Sequence, residues 1–155
     1  MKTRLQRLFT AGALLSSVLG SVQALSVPMS GWSASTPAQD TWNSDNGACV
    51  LQEMRLSQAF TSFQDAEAAR KFALRIQQAL MAQKLDAVVT QPVDRAGRWT
   101  VLAAYLFTKD GVQYRATQLY LSDAGKLRTV TGSTANGEAS DCVAQMHDFL
   151  RYLAN

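Results

Sequence analysis

The sequence predicts an α+β fold: a curved, mainly antiparallel sheet and two helices in the order β-α-β-β-β-β-α, stacked as a two-layer sandwich with both helices on one face. Three observations lead there. Arg98 to Gly132 reads as three β-rich runs divided by two short turn signals, Lys109-Asp110-Gly111 and Ser122-Asp123-Ala124-Gly125, which is how an antiparallel meander looks in sequence. Asp65 to Lys84 carries apolar residues at helical spacing, and a second amphipathic stretch comes after Ser140. Short connections between such elements favour helices layered on the sheet.

Residues 1–24 have the layout of a secretory signal peptide. Lys2, Arg4 and Arg7 form a charged start, Leu8 to Leu19 a short apolar run, and Val22-Gln23-Ala24 a small-x-small cleavage site. The run is shorter than the roughly 20 apolar residues of a membrane span, and no cysteine stands after the site for lipid attachment. The expectation is a periplasmic or secreted protein with no stable membrane anchor after cleavage. The chain has 15 Lys+Arg and 12 Asp+Glu, but three of the basic residues lie in the leader. The remaining chain is formally balanced, so the basic footprint that nucleic acid requires is missing.

Residues 25–47 are rich in Ser, Thr, Pro, Asn and Gly, the composition of a linker or irregular arm. Trp32 and Trp42 within them have large apolar bodies that need cover; they either fold back on the domain or contact a partner. Residues 48–155 form one α+β domain. Cys49 to Ser57 alternates well enough for a first strand. In the first helix Ala69, Phe72, Ala73, Ile76, Ala79 and Leu80 make one apolar stripe, Asp65 is a suitable N-cap, and Glu67 and Lys71 pair at i,i+4. Asp86 to Val93 is a second short strand, ended by Pro92 and the turn Asp94 to Gly97.

In the meander, Asp110-Gly111 suits a type I′ turn, which needs positive φ at both central residues. That loop sets Lys109 opposite Val112, Phe107 opposite Tyr114, and Val101 opposite Tyr120. A three-residue loop with a bulge is the rival and would move every partner to the other face. With the two-residue loop, Trp99, Val101, Tyr105, Phe107, Tyr114 and Tyr120 share one face, and Leu102, Ala104, Leu106, Leu119 and Leu121 the other. Residues 132–139 read as a loop, and the last helix presents Val143, Met146, Leu150 and Leu153.

Candidate chemistry is sparse. Cys49 and Cys142 are the only cysteines, and in an oxidising compartment they are expected to join. His147 lies five residues from Cys142, about 140° round a helix, so the two do not face each other as a nucleophile and base. One histidine and two bonded cysteines make no zinc site. Glu53, Asp94, Asp123 and Asp141 are scattered singly, and Gly132-Ser133-Thr134 is explained by loop chemistry. The chain has no GxSxG, P-loop or GxGxxG motif, and no cofactor is expected.

Both faces of the meander are apolar, whereas a freely solvated face carries polar residues at alternate positions. The aliphatic side is expected under the helices. The aromatic side, with Trp99, Tyr105, Phe107, Tyr114 and Tyr120, and the arm residues Trp32 and Trp42, are the expected contacts for a protein partner or for self-association through a sheet face or edge. The function expected is a non-enzymatic binding or accessory module, such as an inhibitor, immunity-type or assembly factor. A carrier of a small apolar ligand or lipid, and a small hydrolase, are the alternatives.

Overall fold

Three X-Gly dipeptides, Ala96-Gly97, Asp110-Gly111 and Ala124-Gly125, recur at equal intervals and take positive φ at both positions, from 48° to 83°. This is the type I′ geometry whose twist matches that of the flanking strands. They join four consecutive strands by two-residue loops. The computed structural model describes residues 24–155; the expected leader, residues 1–24, lies outside them apart from Ala24. The described elements are β1 (Trp32–Ala34), β2 (Thr41–Ser44), β3 (Cys49–Ala59), α1 (Ala66–Ala82), β4 (Asp86–Arg95), β5 (Arg98–Lys109), β6 (Val112–Asp123), β7 (Lys126–Ala135) and α2 (Asp141–Ala154). All strand pairs are antiparallel, in the order β1-β2-β3-β7-β6-β5-β4.

The α+β class and the antiparallel sheet are as expected. The register is that of the two-residue loop, with Lys109 opposite Val112, Phe107 opposite Tyr114 and Val101 opposite Tyr120. Asp65 caps α1, its carboxylate accepting from Ala68 N at 2.8 Å, and Lys71 and Glu67 pair at 2.8 Å on its exposed side.

Three features differ from expectation. Residues 25–47 are not a linker: they supply β1 and β2, and Leu25, Val27 and Trp32 are core residues. β4 runs through Pro92, opposite Val101, to Arg95; on an edge strand a proline whose nitrogen faces outward costs no ladder bond. β7 continues through Gly132 to Ala135, where a loop was expected.

The layering also differs, because the two helices lie on opposite faces of the sheet. α2 packs with Cys49, Leu51, Leu119, Leu121 and Val130. α1 packs with the alternate residues Val101, Ala103 and Tyr120. The reason lies in the meander, where Leu119 and Tyr120 are neighbours 0% and 7% exposed and point to opposite sides. No single helical layer can cover both. Residues 83–85 tie α1 to the edge strand β4, so α1 lies over β4 and β5. α2 comes after β7, at the centre of the sheet, and takes the other side.

Two contacts fix α2. Cys142 in its first turn is bonded to Cys49 at the start of β3, with Cα atoms 6.0 Å apart and a sequence separation of 93 residues. At Gly132 a β-carbon would stand 2.6 Å from Met146 Sδ, so the absent side chain is what lets the helix approach β7. The buried side of α2 is Cys142, Met146, Phe149, Leu150 and Ala154, a stripe rotated slightly from the expected one.

A disulfide closing so long a loop contributes about 4 to 5 kcal/mol in the chain-entropy treatment, an upper figure. Cys142→Ser is therefore expected to lower the denaturation free energy by up to about that amount while the far-ultraviolet spectrum keeps its native form. Urea denaturation of both proteins checks this; an unchanged midpoint would contradict it.

Candidate functional site

α1 covers only part of its face. Beneath it Phe72 packs on Tyr120 with ring centroids 6.0 Å apart, and on Phe60 and Phe63 at 5.2 and 5.3 Å. Phe60 and Phe63 come from the segment between β3 and α1. That segment is held over the sheet end by Ser122 Oγ donating to Phe60 O at 2.6 Å and Trp99 N donating to Phe63 O at 2.9 Å.

Beyond α1, the same face is open across β5, β6, β7 and β3. Tyr105, Phe107 and Tyr114 are half-buried there. Phe107 and Tyr114 stack at 5.3 Å with ring planes 17° apart, and Tyr105 lies 6.4 Å from Phe107. Next to them run Gln118, Thr131, Ser133, Gln52 and Met54, which with Tyr105 and Phe107 line an open cleft of about 270 Å³. Met54 is 51% exposed. The face thus grades from aromatic on β5 to hydroxyl and amide on β7 and β3.

Gln118 Oε1 ties the open and covered parts together, accepting from Tyr120 OH at 2.9 Å and Tyr105 OH at 3.4 Å. Burial, reinforced by the neighbouring Tyr105, pushes the Tyr120 hydroxyl up to about 12. Burial also raises that of Tyr105. Both therefore remain neutral donors at physiological pH.

Of the seven aromatic residues expected to meet a partner, the structure brings three together in the open: Tyr105, Phe107 and Tyr114. Tyr120 is core under α1. Trp99 is half-buried at the other end of β5, bridged to Phe63. Trp32 is buried on the α2 side and donates from Nε1 to Gln145 Oε1 at 2.9 Å. Trp42 packs at the edge of that core, its Nε1 donating to Gln39 O at 3.1 Å. On the aliphatic side of the meander Leu119 and Leu121 are buried under α2, while Leu102, Ala104 and Leu106 are half-buried; the aromatic side is shared between α1 and the open cleft.

The scattered carboxylates have structural partners. Glu53, 7% exposed, is clamped by Arg128 Nε and by Arg55 at 3.0 Å, and Arg55 reaches Asp123 at 2.6 Å. Two guanidiniums are what a carboxylate at that depth needs to offset its lost hydration. Asp94 accepts from Gly97 N in its turn at 3.0 Å, and Asp141 opens α2. Thr134 donates to Ala48 O at 2.9 Å. Both cysteines are oxidised. Among the described residues no group of three or more His, Cys, Asp or Glu is placed to hold a metal ion, and no helix is long and apolar enough to cross a membrane.

On the opposite face, α2 leaves a second depression of about 410 Å³ beside β4, β5 and β6, with His147, Leu150 and Arg151 on its helical side. Sequence spacing did not single it out. Comparison of the chain with protein-family models and with curated proteins finds no match.

Burial lowers the pKa of His147; the cations Arg151 and Arg115 add to this and Asp148 opposes it. The folded state thus favours neutral imidazole. As pH falls through the ordinary histidine value near 6.5, the unfolded chain takes up its proton first, so this contribution is full above that value and lost below it. The melting temperature is expected to fall between about pH 7 and pH 5, the range in which histidine titrates. His147→Gln should flatten that part of the profile. Calorimetric scans across this range check the sign, and a melting temperature that rose on acidification would contradict it.

Proposed function

We propose that the protein is an exported, non-enzymatic binding or accessory module that holds a protein partner on the open half of the α1 face. The observation that carries this reading is the half-exposed group Tyr105, Phe107 and Tyr114 beside Met54. Aromatic rings bury much area with few rotatable bonds and commonly supply the strongest contacts of an interface. The hydroxyl and amide strip of Gln118, Thr131, Ser133 and Gln52 beside them has the polar character of an interface rim. The cleft, at about 270 Å³, is smaller than the usual small-molecule site, which suits a protein surface.

Export is supported by the charged, apolar and small-residue layout of residues 1–24 and by the disulfide, a bond that persists in oxidising compartments. A non-catalytic role is supported by the pairing of Glu53 and Asp123 with arginines and by the oxidation of Cys142.

The test compares the wild type, a Phe107→Ala/Tyr114→Ala double variant and a Leu74→Ala control as bait in the extracytoplasmic fraction. Leu74 is 59% exposed, on α1. The double variant should lose about tenfold or more in affinity for the partner that the wild type retains, with its fold intact, while the control keeps it. Equal retention by all three would overturn the reading. Intact mass of the recovered protein should correspond to a chain starting at Leu25; a chain still carrying residues 1–24 would overturn the export part alone.

A further inference from the structure

The depression on the α2 face has a different chemistry from the open aromatic half-face. Its floor is aliphatic: Val93, Leu102 and Ala104 from the sheet, and Leu150 and Ala154 from the helix. Val89, opposite Ala104 and 60% exposed, extends that wall to solvent. Asn155, held by Arg95 Nε at 2.8 Å, lines the end toward β4. Its volume of about 410 Å³ falls in the range of small-molecule sites, which combine apolar walls with a few polar groups.

The polar groups gather on one side. Gln91, Thr117, His147 and Arg151 line the rim. Arg115, the next residue of β6 on the same face as Thr117, lies outside this lining, its guanidinium donating to Asn136 Oδ1 just past β7 at 3.2 Å. Asp148 stands 3.4 Å from Arg151, with both side chains 74% exposed, a pairing that solvent weakens. Asp86 lies at the start of β4, opposite Leu106. The mouth therefore presents one cation, Arg151, with Gln91, Thr117 and His147 as hydrogen-bonding groups, above an apolar floor.

We propose that this trough binds an amphipathic anion, a short or medium aliphatic chain ending in a carboxylate. The chain lies against Leu102, Ala104 and Leu150, and the carboxylate sits against Arg151 with Thr117 as a further donor. The two parts of the site make separate demands. The floor selects against fully polar anions, because it offers a hydrophilic ligand no partner. The Arg151 guanidinium favours a carboxylate over a neutral head group of the same size, since charge-assisted hydrogen bonds are about twice as strong as neutral ones. This site is on the opposite side of the sheet from the proposed partner surface and stands independently of it.

The test is titration of the disulfide-bonded protein with octanoate, and in parallel with 1-octanol, monitored by amide chemical shifts. Octanoate is expected to shift Leu102, Ala104, Thr117, His147, Leu150 and Arg151, and to bind about tenfold or more tightly than octanol. Arg151→Gln, at an exposed position, should bring octanoate down to the octanol affinity and leave octanol unchanged. The Phe107→Ala/Tyr114→Ala variant should bind octanoate as the wild type does. No shift at the trough, shifts confined to Tyr105, Phe107 and Tyr114, octanol binding as tight as octanoate, or indifference to Arg151→Gln would each overturn the proposal.

Discussion

The arrangement of the molecule rests on one constraint: β5, β6 and β7 carry apolar side chains on both faces. Along β6, Leu119 and Leu121 point one way and Tyr120 the other, and all three are buried. A strand whose successive side chains both need cover must lie between two layers. Here those layers are α2 with the N-terminal segment on one side, and α1 with the Phe60–Phe63 segment on the other. Each layer is short relative to the seven-stranded sheet. The parts of the sheet that neither reaches become surface, and that is where both candidate sites lie.

The α2 side holds the larger cluster of buried residues. The disulfide anchors the helix at Cys49, the missing side chain of Gly132 lets Met146 approach the strand, and Leu25, Val27 and Trp32 close the flank. The α1 side has no such clamp. Its helix is positioned by the short link to β4, by the phenylalanine cluster and by Thr90 Oγ1 donating to Ala73 O at 3.0 Å. A helix tied to an edge strand covers that edge, and the centre of the face is left to Tyr105, Phe107, Tyr114 and the polar strip. The charged quartet of Glu53, Arg55, Arg128 and Asp123 belongs to structure in the same way. It joins β3, β7 and β6 on the α2 side, and losing either guanidinium would leave a buried carboxylate short of a partner.

Local signals were legible in the sequence; features that depend on distant partners were not. The hairpin register could be read from Asp110-Gly111 because turn geometry fixes pairing over the adjacent strands. The cap at Asp65 and the Glu67–Lys71 pair need only neighbouring residues. β1 and β2 were hidden because residues 25–47 look like loop until β3 offers an edge to pair with. Pro92 reads as a strand end unless its strand is known to lie at the sheet edge. Phe60 and Phe63 carry no periodic signal, and their role appears only when α1 lies above them. The aromatic group was identified as a set, but its division into core and surface depends on where α1 ends, which composition does not record. The trough beside α2 brings together residues from four elements and had no signature at any one of them.

Two adjacent residues report whether the sheet is covered from both sides. Leu119→Ala and Tyr120→Ala remove side chains that point in opposite directions. If both faces are core, chemical denaturation should show each variant destabilised by several kcal/mol, about 2 to 5 for the leucine and about 3 to 5 for the aromatic. A Tyr120→Ala variant as stable as the wild type, beside a strongly destabilised Leu119→Ala, would show that only one face is covered and would contradict the account.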